Sequence, residues 1–521
     1  MKRTYQYRAG NKTVTREVNY IPVRYIIAML LTVFEVLAII GVVVLLCYFV
    51  PYFYLAAWAT EIACVIKIIS SDDNPDYKVP WLLFVLILPI AGFMLYFIFA
   101  SRKLKGKYVR RLHDLKSLSY KKDDSAAFAS LYQKDRVAHN TAKLLCGIAD
   151  CSLFENTKTT YFPLGEEMMA ALLRDLAAAK SFIYMEYFII EEGTFFDSIL
   201  KLLRQKAAEG ISVKLLYDDI GCMSTLPGNY AKILQKAGIE AAPFSRLRGN
   251  ADSEFNNRSH RKITVIDGRI GYTGGINLAD EYINERVRFG HWKDTAIRLE
   301  GEAVFELTRL FLTDFGINTR KMPQPDHVLY PTDVEGAPNG YVIPFGDGPA
   351  PLYRRRVSKS LLQTMLAGAT RYAYMTTPYL IIDNDLCTSL ETAALRGIDV
   401  RIIVPHVPDK RMVFNMTQSF YPRLMHAGVR IYEYTPGFIH AKSYLVDDKY
   451  AMIGTVNLDY RSLVHHFENG VWLYQTNAIA DLRADMEKTM AVSLPIEEDM
   501  LKADLPKRML RALVRIFAPL L

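Results

Sequence analysis

Two short stretches of this chain carry residue types and spacings suited to chemistry at a charged ester. His260, Lys262, Asp267, Gly274 and Asn277 recur in the same order and spacing as His440, Lys442, Asp447, Gly454 and Asn457. Side chains on a strand alternate between faces, so a histidine and a lysine two residues apart point the same way and can reach one ligand. A phosphodiester resists nucleophiles because of its own negative charge, and an enzyme that works without a metal needs cations beside the phosphoryl oxygens. Lys262 and Lys442 supply them. A neutral imidazole from one stretch can attack phosphorus while a protonated imidazole from the other gives its proton to the leaving alkoxide. Each imidazole also needs an acceptor on its second nitrogen, which fixes the tautomer. Asp267 and Asp447 are the motif's own acids, although seven residues of strand and turn can carry them out of reach. Asn277 and Asn457 are candidate donors to the phosphate.

The elements that position these residues are also written twice. Residues 181–190 (SFIYMEYFII) resemble 371–382 (RYAYMTTPYLII), 210–218 (GISVKLLYD) resemble 397–405 (GIDVRIIVP), and 260–277 resemble 440–457, at offsets of 190, 187 and 180 residues. Three matches in one order make two copies of one unit, each a run of short β-rich segments alternating with amphipathic helices. That is an α/β pattern. A Pro- and Gly-rich stretch at 322–351 joins the copies, with the second copy's first strand beginning inside it at Tyr341-Val342-Ile343.

The remaining conspicuous residues invite structural readings. Of His465 and His466, adjacent on a strand, at most one can face the site, and the expectation is a structural or surface role. Arg246, Arg248, Arg258 and Arg261 read as a solvated face, with Arg258 also placed to share the His260 ligand. Six scattered cysteines among 521 residues build no disulfide scaffold. No Walker loop, dinucleotide fingerprint or zinc pattern is present, so no cofactor and no metal is expected.

The apolar excess, 51% hydrophobic residues, is concentrated before residue 101. Residues 25–49 are long enough to cross a hydrocarbon layer of about 30 Å, with Glu35 their only charge. Residues 81–100 read as a second span, and 54–69, which include Glu61 and Lys67, as a third span or an interfacial helix. Basic clusters flank the leader on both sides, from Lys2 to Arg24 and from Arg102 to Arg111. Two spans place both clusters in the cytoplasm with the acidic loop of Asp72, Asp73 and Asp76 outside; three spans violate one cluster. The segment 506–521 is a basic amphipathic helix suited either to capping the core or to lying on anionic lipid.

The doubled motif resembles the HKD signature of the phospholipase D superfamily, and within it the bacterial cardiolipin synthases. The matching segments are 256–262 (NNRSHRK), 217–221 (YDDIG), 274–282 (GGINLADEY), 290–294 (GHWKD), 436–442 (PGFIHAK) and 89–96 (PIAGFMLY). Gly275 and Thr455 depart from the serine that often follows the motif's glycine. The resemblance implies a phosphohistidine intermediate on His260, with His440 as acid and base, and it points to Asp294 and Glu468 as the acids that orient the histidines. The fold it implies is two tandem phospholipase D-type α/β/α units forming one pseudo-twofold catalytic body, preceded by transmembrane helices. The expected layout is a basic N-terminus at 1–24, an anchor at 25–101, a basic linker at 102–130, the two units at 131–335 and 336–495, and an amphipathic segment at 496–521. The expected reaction joins two phosphatidylglycerol molecules into cardiolipin and glycerol at the cell membrane, with hydrolysis by water as the alternative. A net charge of +8, partly spent on membrane flanks, gives no case for a nucleic-acid partner. Oligomeric state is not legible.

Overall fold

The computed structural model describes residues 2–9, 12–19, 23–100, 109–111, 123–246, 256–319, 339–353, 355–501, 509, 511 and 514–520. Arg102, Lys103, Lys105 and Lys107 of the expected basic linker lie outside the described residues, as do Arg248, residues 320–338 of the connector, and Lys507, Arg508, Leu510 and Leu513.

Each copy of the repeat builds one mixed sheet. In the first, the order across the sheet is Thr157–Phe162, Ala296–Gly301, Ile270–Gly274, Ile263–Ile266, Phe182–Tyr187, Ser212–Asp218 and Glu240–Phe244. The second repeats it as Tyr341–Asp347, Glu468–Tyr474, Tyr450–Gly454, Ser443–Val446, Tyr372–Thr376, Asp399–Pro405 and Arg430–Tyr434, and adds the edge strand Ser493–Pro495. Phe182–Tyr187 is buried along its whole length, as a central strand covered on both faces must be.

The inner faces of the two sheets share one apolar cluster. Tyr184, Leu216, Ile263 and Val265 of the first unit meet Tyr374, Ile403, Leu445 and Val471 of the second there, with the helices Val304–Thr319 and Ala478–Ala491 packed between. Each sheet's outer face has its own core. The helices Ser125–Lys134 and Arg136–Ala149, expected in the linker and the first unit, belong instead to the outer core of the second. Ala138, Ala142, Leu145 and Cys146 form one helical face, and that face packs with Leu361 and Met365 of Val357–Ala367.

The leader differs from its expected layout. Val23–Phe49 is a helix of 27 residues, about 40 Å long. It contains the one stretch among the described residues that is long and apolar enough to cross a membrane, Met29–Leu46, with none of that stretch buried in the protein. The expected span at 81–100 is not one helix. Pro75–Ile87 ends at Leu88, and Pro89–Phe99 starts afresh with a proline in its first turn. The two fold back on each other. The Trp81 and Tyr96 rings lie 5.6 Å apart, and a Cβ on Gly92 would fall 2.1 Å from the Phe84 carbonyl oxygen. Pieces about 20 and 16 Å long cannot each cross 30 Å of hydrocarbon. Pro51–Ser70 packs against this hairpin through Cys64 and Ile68.

The acidic loop expected on the far side of the membrane docks on the catalytic body. Asn74 Nδ2 donates to Asp383 at 2.9 Å, and the Asp76 carboxylate accepts from the Asn384 backbone N–H and the Tyr460 hydroxyl. Tyr77 packs edge-on to Tyr460. These bonds supply the carboxylates and the asparagine with partners that an isolated loop would lack.

Candidate active site

Both histidines sit just before the central hairpin of their own sheet, and both are held from the other unit. The Gly437–Ile439 strand that leads into His440 pairs in parallel with His291–Lys293, and the His440 N–H donates to the Lys293 carbonyl at 2.7 Å. On the opposite side, Ser259 bridges to Phe467, and the His260 N–H donates to the Phe467 carbonyl at 2.8 Å. This reciprocal register sets each histidine against the acid of the other unit. His260 Nδ1 lies 3.0 Å from both oxygens of Glu468, and His440 Nδ1 lies 2.6 Å from Asp294 Oδ2. The orienting acids are therefore exchanged across the pseudo-twofold, and one site forms from both halves.

The lysines line the same space. Lys262 Nζ donates to the His260 carbonyl at 2.8 Å, and Lys442 Nζ donates to the His440 carbonyl and lies 2.7 Å from His440 Nδ1. Burial pushes the Lys262 ammonium down to about 7, and the neighbouring Lys442 pushes the same way. Lys442 is pushed down to about 8 by burial, against the pull of Asp294 and Glu468. Two buried cations, one of which acts on the other, favour an anion between them.

The two histidine pairs differ electrostatically. Burial pushes His260 down to about 3, with Glu468 opposing and Lys262 adding to the shift. Burial works against the Glu468 charge, but His260 and His466 outweigh it and hold the carboxyl below its ordinary range. In the other pair burial pushes Asp294 up to about 7 and His440 well below its ordinary value, Lys442 adding to the latter.

Asp267 and Asp447, expected among the catalytic residues, are not in this space. Both stand at hairpin turns with left-handed backbone, at φ 54° and 57°. The Asp267 carboxylate accepts the backbone N–H groups of Lys180, Ser181 and Phe182; that of Asp447 accepts those of Thr370, Arg371 and Tyr372. An aspartate tolerates such a turn and ties it to a neighbouring chain. Here it anchors the hairpin to the start of the central strand. Asn277 is also spoken for: its Oδ1 accepts from the Ile189 N–H at 3.0 Å and its Nδ2 donates to the Tyr282 hydroxyl at 2.7 Å. Asn457 donates to Asp459 at 3.0 Å, while its Oδ1 is buried with no hydrogen-bond partner.

Arg258 and Arg261 are neither solvated nor aimed at a ligand. Arg258 forks onto Asp218 and the Phe244 and Ser245 carbonyls. Arg261 pairs with Asp314 at 2.6 Å and donates to the Glu468 carbonyl, bracing the strand that carries that acid. Both are almost fully buried, where an unpaired guanidinium would be costly.

Several contributors escape sequence reasoning. His466 lines the site, its ring 5.6 Å from that of His260, and both of its nitrogens are buried without a hydrogen-bond partner. Trp292 takes the matching place beside His440, also at 5.6 Å. Each lies two residues before an orienting acid and so shares its strand face, which is the one signal that could have found them. Phe188 packs edge-on to His260, and Tyr282 edge-on to His440. The Thr455 hydroxyl donates to Glu468 rather than standing free for a phosphate. The ligand atoms of His260, His466 and Glu468 lie within 4.8 Å of one another, a donor set of the kind zinc accepts, but it includes an imidazole of the site and faces Lys262.

Comparison with known proteins identifies the family. Residues 172–289 and 362–490 match the family described as "Cardiolipin synthase, PLD-like domain", and residues 62–100 match "Phospholipase D-nuclease N-terminal". The chain is 35% identical to cardiolipin synthase 2 of Bacillus cereus over 471 residues, 88% of this chain and 89% of that protein. It is 34% identical to cardiolipin synthase of Halalkalibacterium halodurans over 432 residues, 81% and 84% of the two chains. Among solved structures, phosphatidylserine synthase of Haemophilus influenzae Rd KW20 aligns with a TM-score of 0.54 at 16% identity, covering 73% of this chain and 98% of that one. That likeness speaks for the fold alone.

Proposed function

The chain belongs to the cardiolipin synthase family of phospholipase D-like proteins, and from that premise we propose that it is a phosphatidyltransferase joining two phosphatidylglycerol molecules into cardiolipin and glycerol. The observation that carries the reading is the exchange of orienting acids between the halves, which leaves two imidazoles and two ammonium groups facing one buried space.

The roles follow from the two pairs. Glu468 stays ionised and accepts the hydrogen bond of the His260 Nδ1–H, which leaves Nε2 with its lone pair free to attack phosphorus. The Asp294–His440 pair, with a carboxyl pushed up to about 7, holds a proton into the neutral range. That proton passes to the glycerol oxygen as the P–O bond breaks and the P–N bond to His260 forms. Glycerol leaves, and the phosphatidyl group remains on His260. His440, now the base, takes the proton of the acceptor's hydroxyl, whose oxygen displaces His260 from phosphorus. Lys262 and Lys442 balance the charge gathering on the phosphoryl oxygens in both steps. The water-poor setting made by Trp292, Tyr282 and Phe188 favours a lipid hydroxyl over water.

The reading extends to the membrane. Val23–Phe49 crosses the bilayer. Pro51–Ser70, long enough at 20 residues but carrying Glu61 and Lys67, returns only because it packs on the hairpin from Pro75 to Phe99, which dips into one leaflet. The catalytic body and both basic clusters then share the cytoplasmic side. The docking of the 71–76 loop on the body supports this arrangement over two plain spans.

Purified protein in phosphatidylglycerol vesicles tests the activity. Cardiolipin and glycerol in equal amounts are expected, and phosphatidic acid in their place would establish hydrolysis instead. For the topology, Asp72→Cys and Ala100→Cys should react with an impermeant maleimide from the same side. Labelling from opposite sides would make 75–99 a span.

A further inference from the structure

Away from the catalytic centre, a cleft of about 930 Å³ lies where the leader, the second unit and the C-terminal segment meet, and none of His260, Lys262, Asp294, His440, Lys442 or Glu468 lines it. The C-terminal segment neither caps the core alone nor lies free. Ala518 is buried in the outer core of the second unit, Val514 packs against that core, and the Phe517 ring meets Phe84 of the leader at 5.5 Å. This docking brings Arg511 and Arg515 to the wall of the cleft.

The charges in the cleft are unbalanced. Among the described residues neither Arg511 nor Arg515 has a carboxylate partner. Arg511 donates to the Gln418 side-chain oxygen, and its Nε is buried with no acceptor. Arg515 stands 4.4 Å over the Phe420 ring. The other charged groups nearby are largely committed. Arg423 is forked onto Glu391, and Asp76 is held by the Asn384 N–H and the Tyr460 hydroxyl. Glu498 is exposed at the edge. A part-buried guanidinium with an unfilled N–H is costly unless an anion completes it.

The remaining wall identifies the anion's carrier. Val79 faces the cleft, and Leu86, seven residues on and thus on the same helical face, continues an exposed apolar path down the leader hairpin. Val79 is 48% and Leu86 59% exposed. Cations at one end and an apolar track at the other suit an amphiphile.

We propose that this cleft is a second lipid site, which holds the phosphate of an anionic glycerophospholipid between Arg511 and Arg515 while its acyl chains follow Val79 and Leu86 into the leaflet. The site stands apart from the catalytic reading and survives if that reading fails. It gives the C-terminal segment and the leader a common ligand, so that the body is fastened to the membrane at a lipid as well as through its helices.

The test uses the full chain in phosphatidylcholine nanodiscs containing a photoactivatable phosphatidylglycerol, with cross-linked peptides mapped by mass spectrometry. Cross-links are expected at the 509–520 segment and at Val79, separate from those near His260 and His440. In Arg511→Gln/Arg515→Gln they should fall roughly tenfold, while the catalytic-site cross-links persist and report that the body is folded. Arg511→Lys/Arg515→Lys should retain most of the labelling. Cross-links confined to the catalytic centre, or undiminished in the glutamine variant, would overturn the proposal. Binding of inorganic phosphate that is lost in the glutamine variant, with no lipid cross-link in the cleft, would assign the site to a free anion and overturn the lipid.

Discussion

The two halves of the site are built on one plan and furnished differently. On the His260 side stand Glu468, His466 and Thr455; at the matching positions on the His440 side stand Asp294, Trp292 and Gly275. The first set is polar: a long carboxylate, fastened by a threonine hydroxyl, with a second imidazole close by. The second is apolar and tight: a short carboxylate against a glycine, under an indole. A pseudo-twofold backbone thus presents two chemically distinct imidazoles. The lesson is that symmetry supplies the position of the groups, whereas their immediate neighbours decide which one holds a proton and which one gives up its lone pair. A strictly symmetric site would let the substrate bind in either direction with equal outcome. This one has a sense.

The largest effects should come from the histidines themselves. His260→Ala and His440→Ala are each expected to lower transfer by about 10³-fold or more, measured as cardiolipin formed from labelled phosphatidylglycerol. They should differ in what accumulates. Wild-type and slowed enzymes trap label on His260, and label found on His440 would reverse the roles.

Next come the acids. Glu468→Gln and Asp294→Asn should each cost about 10²- to 10³-fold by releasing an imidazole from its tautomer. Only Asp294→Asn should change the shape of the pH profile. The Asp294 carboxyl is pushed up to about 7, so the proton needed by the leaving alkoxide is present below that pH and is lost as pH rises through it. The alkaline decline of the first step, measured as glycerol release in a single turnover, should lose its Asp294 component in the asparagine variant and keep only the part set by loss of the Lys262 and Lys442 charges. An unchanged decline would separate Asp294 from the proton.

The residues behind the acids should sharpen the contrast. A Cβ at Gly275 would lie 2.0 Å from Asp294 Oδ1, so Gly275→Ala must displace that acid and is expected to cost about 10²-fold. Thr455→Ala removes a single hydroxyl donor from Glu468, for an expected loss of about tenfold. Equal losses from the two would mean that the halves are not distinguished at this position.

The smallest effect on turnover should come from a feature that the halves share and that lies away from the chemistry. Asp267→Ala and Asp447→Ala each leave three backbone N–H groups without their acceptor, and should lower stability by about 2 kcal/mol while turnover at low temperature stays within about twofold. Thermal unfolding and steady-state kinetics on the same samples check this. A large loss of turnover without a fall in melting temperature would return these aspartates to the chemistry.

The amino-acid sequence by itself determined what repeats locally. The doubled His-x-Lys, the order of strands around it and the apolar leader are all readable because strand alternation, helical spacing and chain hydropathy act over a few residues. Even Asp294 and Glu468 were within reach, through resemblance. Only the tertiary structure decided who serves whom. The acids are exchanged because the strand before each histidine pairs with the strand before the other unit's acid, a register between segments some 150 to 200 residues apart that no local spacing encodes. For the same reason the motif aspartates went to hairpin turns, Arg258 and Arg261 went to buried carboxylates, and the second apolar stretch folded back at Pro89 so that its loop could find the body. Local chemistry proposes the groups. Long-range pairing, where backbone and buried charges must all be satisfied at once, assigns them.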